Sequence, residues 1–425
     1  MLKDFEFSFF KKISICVLIG FIFLLTSCSK ENQSSDKFSE RSPEKLMNLV
    51  VQNQIHELKE GEYKEGTWET VKQSDPPKGV AWYYPWGVTL YGILETGQTL
   101  NNSTYTDFVT KHNRIAANQY SYLRWQEKKF GEYVNPANMS QLMRLSALDH
   151  CGAMGSQLLE GVLTQNAKVT EEIKMVVDTI AHYISNEQAR LDDGTLWRPE
   201  WDYGGDDQKK HIWGDDLYMS TPFLVRYAEY SGDRSYLNDA AQQIINMASY
   251  LQDDDGVWYH AYCVKKDEVN GFKWSRANGW AMVSTVEVLS AMSEDHPKYD
   301  RLLQIFKDHI EGIKPLQKNN GMWRQILDNT ELWEETSSTA MFTYSISKAI
   351  NENIIEDKHL EIADQSIKGL NQKINEKGEV IGTCEGTGIG HDLEFYKNRE
   401  HPLDDSHGQG PVLLALSEYY KVKNK

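Results

Sequence analysis

The chain is poor in cysteine. It has five cysteines in 425 residues, and no two of them have CxxC spacing. Cys16 and Cys28 lie within the first thirty residues, so Cys151, Cys263 and Cys384 remain for the rest of the chain. This odd and scattered set is no disulfide framework. We therefore expect each of the three to be a small buried hydrophobic residue.

Clustered positive charge and the common cofactor motifs are also lacking. The chain has 45 lysines and arginines against 62 aspartates and glutamates, a formal net charge of -17. A nucleic-acid partner is disfavoured, because phosphates need clustered cations. The histidines show no HExxH or other metal-ligand spacing, and there is neither a phosphate loop nor a nucleophile elbow. We expect no metal and no cofactor.

The longest apolar run, residues 13–25, is short for a membrane span and follows Lys11 and Lys12. It ends in Leu25-Thr26-Ser27-Cys28, which resembles the bacterial lipobox. That resemblance implies a signal peptide over residues 1–27 and acylation of Cys28, followed by a flexible tether over residues 28–40. The expected location is the cell envelope, with a lipid anchor as the only membrane attachment and the membrane face left open. An ordinary secretory peptide with an incidental cysteine is the alternative.

A turn of glycine followed by an aromatic or β-branched pair recurs six times, at intervals of 65, 63, 62, 65 and 57 residues. Apolar residues at i, i+3 and i+4 indicate about two helices in each interval, near twelve in all, with almost no strand. Two of these helices are predicted to run unbroken over residues 139–160 and 215–230. The turn glycines are Gly66, Gly131, Gly194, Gly256, Gly321 and Gly378.

A helical hairpin of about sixty residues cannot bury both faces of its helices alone, so the six must stack. We predict an all-α fold, an (α/α)6 barrel, formed by residues 41–425 as a single catalytic domain. Its inner helices would be surrounded by outer ones, with the longer loops gathered at one rim. An open solenoid is the alternative, but irregular, aromatic-rich loops favour a ring with a central pocket.

Polar and aromatic clusters precede several predicted helices, so we expect them to converge on that rim. Tryptophans interleaved with carboxylates are typical of a carbohydrate cleft, although core packing is the alternative for each tryptophan. Asp215 and Asp216 begin a helix, where one of them can serve as a cap. Asp149 lies in an apolar run, where an ionised side chain needs a partner or a function. Arg276 suits an anionic substrate, with an aspartate partner inside the protein as the alternative.

These clusters resemble the unsaturated rhamnogalacturonyl hydrolases of glycoside hydrolase family 105 and, more distantly, the unsaturated glucuronyl hydrolases of family 88. The resemblance runs from about Trp82 to the carboxyl terminus. Its most specific segments are Leu148-Asp149-His150-Cys151-Gly152-Ala153-Met154, Trp213-Gly214-Asp215-Asp216-Leu217-Tyr218-Met219, the run from Trp274 to Trp280, Ser338-Thr339-Ala340-Met341, and Asp404-Asp405-Ser406-His407-Gly408.

The resemblance implies an (α/α)6 barrel that hydrates the C4=C5 double bond left on a terminal uronic acid by a polysaccharide lyase, with release of the next sugar. By motif position Asp215 resembles the general acid/base and Asp149 the second functional aspartate, which leaves Asp216 as the helix cap. The unsaturated oligosaccharide is the expected partner. The candidate substrate-binding residues are His211, by adjacency alone, with Trp213, His260, Trp274, Arg276 and Trp280.

Three points stay open at the level of the sequence. The leaving sugar can be a pectic rhamnose, a sulfated rhamnose from ulvan or another residue. The oligomeric state is undetermined. An ordinary inverting glycosidase acting on a saturated acidic glycan and a non-catalytic glycan-binding lipoprotein are the alternative functions.

Overall fold

The computed structural model describes residues 41–165, 169–198 and 210–425. The expected signal peptide, tether and lipidated Cys28 lie outside these ranges. Twelve longer helices, named here in chain order, organise the described part: α1 (Pro43–Gln54), α2 (Tyr84–Thr99), α3 (Ser103–Phe130), α4 (Gly152–Thr164), α5 (Glu171–His182), α6 (Thr221–Ser231), α7 (Ser235–Leu251), α8 (Ser275–Ser290), α9 (Tyr299–Ile313), α10 (Thr336–Asn351), α11 (Leu360–Asn371) and α12 (Gln409–Lys423).

The twelve helices form two concentric rings. The even-numbered helices are the inner ring, in which each helix contacts the next and α12 contacts α2 to close the circle. The odd-numbered helices lie outside, each against an inner helix of its own or a neighbouring hairpin. This is the predicted (α/α)6 barrel, which is confirmed. No helix in the described ranges is both long and apolar enough to cross a membrane.

Inner and outer helices differ in how they bury their side chains. In α8 every residue from Ser275 to Leu289 is buried, with small residues where neighbouring helices approach. In α9 the buried apolar residues Leu302, Ile305, Phe306 and Ile310 follow helical spacing, and the opposite face is polar. An inner helix is therefore surrounded by protein, whereas an outer helix faces solvent on one side. The three remaining cysteines are buried and unpaired, as expected.

Short strands and short helical segments lie between the long helices, mostly in the loops that lead into inner helices. β1 pairs antiparallel with β2, with Trp213 opposite Ala261, and β2 pairs with β3; β4 pairs with β5. The strands are β1 (His211–Trp213), β2 (Ala261–Cys263), β3 (Glu268–Val269), β4 (Trp323–Arg324) and β5 (Glu334–Glu335). The short helical segments are Trp68–Val71, Ser140–Met143, Leu148–His150, Tyr183–Glu187, Asp215–Tyr218, Lys314–Leu316, Asp357–His359 and Leu393–Lys397.

The repeated glycines mark the turns between an outer helix and the next inner one, and all six have positive φ. Gly256 packs so closely on α9 that a Cβ there would lie 2.1 Å from the carbonyl oxygen of Asp308. Gly378, the last turn glycine, makes the same approach to Leu49 in α1, also at 2.1 Å. The turns at Gly256 and Gly378 thus dock on the following outer helix, which for the last turn is α1, the first helix of the ring.

Gly378→Ala is therefore expected to destabilise the barrel strongly. The left-handed backbone alone costs a non-glycine residue about 1 kcal/mol, and the clash with Leu49 adds to it, for a total of about 3 kcal/mol. Gly131→Ala is the matched control, because Gly131 has φ 76° but a Cβ added there would have nothing within 4 Å. Urea unfolding of both variants measures the difference, and equal losses would contradict the docking role of Gly378.

The two helices expected over residues 139–160 and 215–230 are both interrupted, which corrects the prediction. The second breaks after Tyr218 because Pro222 has no N–H for a continuous helix and instead starts α6. The first is replaced by two short segments before α4. The two interrupted regions are in direct contact. A Cβ on Gly152, at the start of α4, would lie only 1.8 Å from the carbonyl oxygen of Met219. This contact brings the segments that carry Asp149 and Asp215 together.

Candidate active site

The residues that open the inner helices meet at one rim of the barrel. Tyr84 begins α2, Asp149 precedes α4, Asp215 precedes α6, Arg276 lies in the first turn of α8, and His407 precedes α12. Side-chain contacts described below join these positions across the ring. The helix amino termini at this rim carry partial positive charge, which favours a bound anion.

A cavity of about 450 Å³ opens at this rim. Aromatic, amide and charged side chains line it together with a glycine-rich loop, a combination suited to a sugar. A larger groove of about 640 Å³ lies elsewhere, against α9 and the 353–359 loop, and is lined by outer-helix and loop residues. The rim cavity is lined by Tyr84, Gln141, Asp149, His150, Arg198, Trp213, Gly386, Thr387, Gly388, Phe395 and Arg399.

Arg198 links the two aspartate motifs. Its terminal nitrogens donate to both carboxylate oxygens of Asp149, each at 2.9 Å, in a two-pronged pair. Its Nε donates to Oδ1 of Asp216 at 2.7 Å, and its guanidinium lies 4.4 Å from the ring centre of Trp213. An ionised side chain in the apolar run around Asp149 needs a partner or a function, and Arg198 is that partner. Asp149 keeps a fixed orientation at the cavity wall because the fork of Arg198 is rigid.

Asp215 lies beside a buried histidine and is not one of the residues that line the cavity, although Trp213, two residues earlier, does line it. The Asp215 side chain is 12 % exposed, and its Oδ2 lies 3.4 Å from Nε2 of His260. The other ring nitrogen of His260 shares a hydrogen bond of 2.7 Å with the hydroxyl of Tyr396, which fixes the ring. Burial acts to raise the pKa of Asp215, but His260 and the charges of Arg198 and Arg276 outweigh it and lower that pKa.

Asp216 does not cap its helix, which corrects the expected role. The short helix Asp215–Tyr218 has no side-chain cap hydrogen bond, and Asp216 is fully buried against Arg198. Burial and the charges of Asp149 and Asp215 raise the pKa of Asp216 to about 6, although Arg198 opposes them. Asp216 therefore forms a buried ion pair with Arg198 and is part of the charge network of the site.

The raised pKa of Asp216 predicts a pH-dependent stability. The stability that its protonated form contributes is complete below the pKa of an unfolded aspartate and is lost as the pH rises through about 6. From pH 5 to 7.5 the free energy of unfolding of the wild type should therefore fall by about 1 kcal/mol more than that of Asp216→Asn. Urea unfolding at both pH values measures this, and parallel pH dependence in the two proteins would exclude the raised pKa.

Arg276 is buried and has internal partners. Its terminal nitrogens donate to the carbonyl oxygens of Cys384 and Glu385 at 2.5 and 2.7 Å, and Glu335 lies 3.7 Å away. Of the two roles expected for Arg276, the contacts match an internal partner and not the substrate. The acidic partner is a glutamate and not the expected aspartate. Arg276 fixes the start of the loop that continues into Gly386, Thr387 and Gly388 on the cavity wall, and it contributes positive charge from behind that wall.

The other candidates lie at different depths. Trp213 lines the cavity, and His260 packs between Trp213 and Trp274, at ring distances of 5.6 and 4.5 Å. Trp274 and Trp280 are almost fully buried, and the Trp280 ring packs tilted against Tyr218, with ring centres 4.5 Å apart. His211 is buried in β1, where its carbonyl accepts the backbone N–H of Arg198. Of the candidates proposed to bind the sugar, Trp213 alone is a cavity-lining residue.

The structure adds residues that the sequence reasoning did not select, chiefly Arg198 and Arg399, with Tyr84 and His407 discussed below. A signal for Arg198 does exist in the repeat. Arg198 stands four residues after the turn glycine Gly194, as His260 stands four residues after Gly256. In both repeats the residue two positions earlier is fully buried. Alternate residues of an extended segment face the same side, so this register aims both side chains inward.

The comparisons with known proteins agree with this fold. A family model described as Glycosyl Hydrolase Family 88 matches residues 49–423. The chain belongs to glycosyl hydrolase family 88. It is thus a glycoside hydrolase, and the resemblance seen in the sequence motifs is confirmed.

The known proteins that the chain is similar to are distant in sequence. The chain is 22 % identical over 356 residues to the unsaturated rhamnogalacturonyl hydrolase YesR of Bacillus subtilis (strain 168), covering 81 % of this chain and 91 % of that protein. It is 25 % identical over 221 residues to an unsaturated 3S-rhamnoglycuronyl hydrolase of Alteromonas sp. (strain LOR), covering 50 % and 52 %. A possible GH105 member from Klebsiella pneumoniae subsp. pneumoniae MGH 78578 matches the fold with a TM-score of 0.70 at 21 % identity, covering 91 % and 94 %.

The site's own groups are suited to acid–base chemistry. Asp149 and Asp216 share Arg198, and a third carboxyl group, Asp215, lies beside His260, so three carboxyl groups of contrasting environment can give and take protons here. In residues 41–165, 169–198 and 210–425, no group of three or more His, Cys, Asp or Glu side chains is placed to hold a metal ion. That the reaction needs no metal and no cofactor stays an expectation.

Proposed function

We propose that this hydrolase removes a Δ4,5-unsaturated uronic acid from the non-reducing end of lyase-generated oligosaccharides. The observation that carries the proposal is Asp215, a nearly buried carboxyl group beside His260 and two residues after Trp213, which lines a cavity together with cationic side chains. Membership of family 88 supports it, as do relatives named unsaturated rhamnogalacturonyl and unsaturated 3S-rhamnoglycuronyl hydrolase.

The proposed reaction begins on the double bond and not on the glycosidic carbon. The unsaturated sugar is a vinyl ether, so a proton added at C4 leaves positive charge at C5 that the ring oxygen stabilises. Water adds at C5, the resulting hemiketal opens, and the leaving sugar is released from C1. Such a sequence requires an acid for C4 and an acceptor for the proton that the water loses.

Asp215 is the proposed acid. In the free protein its pKa is lowered by His260 and the neighbouring arginines against the effect of burial. A bound uronate adds a negative charge and excludes water, and both changes raise the pKa of a carboxyl group. The acid form would therefore be populated in the substrate complex, where it is needed.

Asp149 is proposed to bind the hydroxyls of the unsaturated sugar. It lines the cavity, and the two-pronged pair with Arg198 fixes its orientation. Trp213 lines the same wall, and because its Nε1 is buried it presents aromatic surface and not a donor. A carboxylate acceptor beside an aromatic surface is a suitable pair for a sugar ring.

The leaving sugar is proposed to be a rhamnose, either from pectic rhamnogalacturonan or from sulfated ulvan. A panel of pectic and ulvan lyase products tests this, with the loss of ultraviolet absorbance of the conjugated double bond as the readout. Saturated disaccharides of the same composition are the matched control. Cleavage of both types at similar rates would identify an ordinary inverting glycosidase. Binding without turnover on every substrate would identify a glycan-binding lipoprotein.

We also propose that the mature chain begins at a lipidated Cys28 and is anchored in the cell envelope. The support is the lipobox-like end of the apolar segment over residues 13–25. Intact-mass measurement of the protein from the membrane fraction tests the proposal. It predicts a chain starting at Cys28 with added acyl mass, whereas an unmodified chain in the soluble fraction would contradict it.

A further inference from the structure

A hydrogen-bonded chain of three side chains starts at the wall of the rim cavity and ends at the partly buried Asp405. The hydroxyl of Tyr84 lies 2.6 Å from Nε2 of His407, and Nδ1 of His407 lies 2.5 Å from Oδ1 of Asp405. Tyr84 lines the cavity, whereas His407 is buried. The chain joins the amino termini of α2 and α12, the first and last inner helices, at the point where the ring closes.

The chemistry of these groups fixes the direction of the hydrogen bonds. The pKa of Asp405 is lowered, because hydrogen bonds from His407 outweigh the effect of burial, so Asp405 is an ionised acceptor. Nδ1 of His407 must then carry the proton, and the neutral ring leaves Nε2 as an acceptor. The hydroxyl of Tyr84 therefore donates to Nε2, and its oxygen lone pairs are left for a group in the cavity.

Tyr84 itself remains protonated in the free protein. Burial raises its pKa, and Asp149 and Asp215 act in the same direction, while Arg276 and Arg198 oppose them. These four charged groups surround the phenol because it lies within the acid–base site. A neutral phenol whose own proton is already directed to a histidine can accept a second proton only as it passes on the first.

We propose that Tyr84, backed by His407 and Asp405, takes the proton of the water that adds to C5. As the water oxygen bonds to C5, one water proton moves to the Tyr84 oxygen and the Tyr84 proton moves to Nε2 of His407. The product is a C5 hydroxyl and an imidazolium paired with Asp405. Asp215 has meanwhile given its proton to C4; the imidazolium releases a proton to solvent, and Asp215 regains one. This step rests on the proposed function.

The relay should respond to pH through His407. Four groups face its ring: Tyr84 from α2, Arg276 from α8, Glu335 at the start of α10 and Asp405 in its own loop. Burial and Arg276 lower the pKa of His407 against the opposing effects of Asp405 and Glu335. The imidazole is thus neutral at neutral pH and can accept the proton of Tyr84. At acidic pH the imidazole is protonated and can no longer accept it. Activity should fall on the acidic side of the optimum as His407 takes up a proton.

Tyr84→Phe and His407→Gln test the relay in the full-length protein on an unsaturated lyase disaccharide. Each should lower kcat by about 10²-fold or more with a small change in KM, and the double variant should be no slower than the worse single variant. His407→Gln should also lose the acidic fall in kcat. Tyr83→Phe, which removes the neighbouring hydroxyl, is the matched control and should keep wild-type kcat. Thermal unfolding of each variant verifies the fold.

The outcomes separate the relay from the proposed function. A wild type that does not consume the double bond overturns both. An active wild type with undiminished kcat in Tyr84→Phe overturns the relay alone. The relay is also overturned if His407→Gln keeps the acidic fall in kcat, or if Tyr84→Phe raises KM with kcat unchanged, since Tyr84 would then serve binding only.

Discussion

Asp215→Asn is expected to lower kcat on an unsaturated lyase product by about 10³-fold or more, with KM changed only a few-fold. Asparagine matches the carboxylate in size but cannot transfer a proton, so protonation of C4 would lose its donor. Asp215 is nearly buried beside His260, which limits the access of a water molecule that could replace that donor. Steady-state kinetics by loss of ultraviolet absorbance give both constants.

The matched control for this substitution is Asp254→Asn. Asp254 is exposed in the turn after α7, away from the cavity, and its replacement removes the same charge. We expect wild-type kcat from this control and wild-type thermal unfolding from both variants. An Asp215→Asn enzyme that retains a tenth or more of the wild-type kcat would exclude Asp215 as the acid.

Arg198→Met is expected to lower both stability and activity. It would leave the buried Asp216 without its partner and free Asp149 from its two-pronged pair. Removal of one member of a buried ion pair costs about 3–5 kcal/mol, because the remaining charge stays buried and uncompensated. Turnover should fall as well, because Asp149 would lose its orientation at the cavity wall. Urea unfolding and steady-state kinetics measure the two effects.

Arg198→Lys separates charge from geometry in the same network. Lysine keeps the positive charge but lacks the planar fork that holds Asp149 and Asp216 together, so it should recover part of the stability and little of the activity. Arg301→Lys, at an exposed position of α9, is the control and should match the wild type in both assays. Unchanged unfolding of Arg198→Met would show that the network does not stabilise the barrel.

The fold could be predicted because the turn that requires glycine is repeated along the chain, once in each helical hairpin. Each turn glycine has a positive φ, and Gly256 and Gly378 also lie against the backbone of another helix, so glycine recurs with the hairpin. Spacing of apolar residues suits the outer helices, because their buried residues follow helical periodicity, as in α9. Inner helices such as α8 are buried on all faces, and their boundaries depend on tertiary contacts that periodicity does not carry.

The site could be predicted in part. The motifs pointed to Asp149 and Asp215, but the charge partner of Asp149 comes from a loop 49 residues away. No local pattern identifies such a pair. Asp216 was expected to cap a helix because caps are local, whereas its actual partner, Arg198, is supplied by the preceding turn. Arg276 was expected to meet the substrate because backbone carbonyl partners are invisible in a sequence.

The central claim is that hydration of the double bond drives release of the sugar. The most direct measurement follows loss of ultraviolet absorbance and release of the leaving sugar in one reaction of the wild-type protein on an unsaturated lyase product. The account predicts that both proceed together, with one double bond lost for each sugar released, and that the saturated analogue is untouched. Sugar release that leaves the absorbance unchanged, or equal cleavage of the saturated analogue, would contradict it.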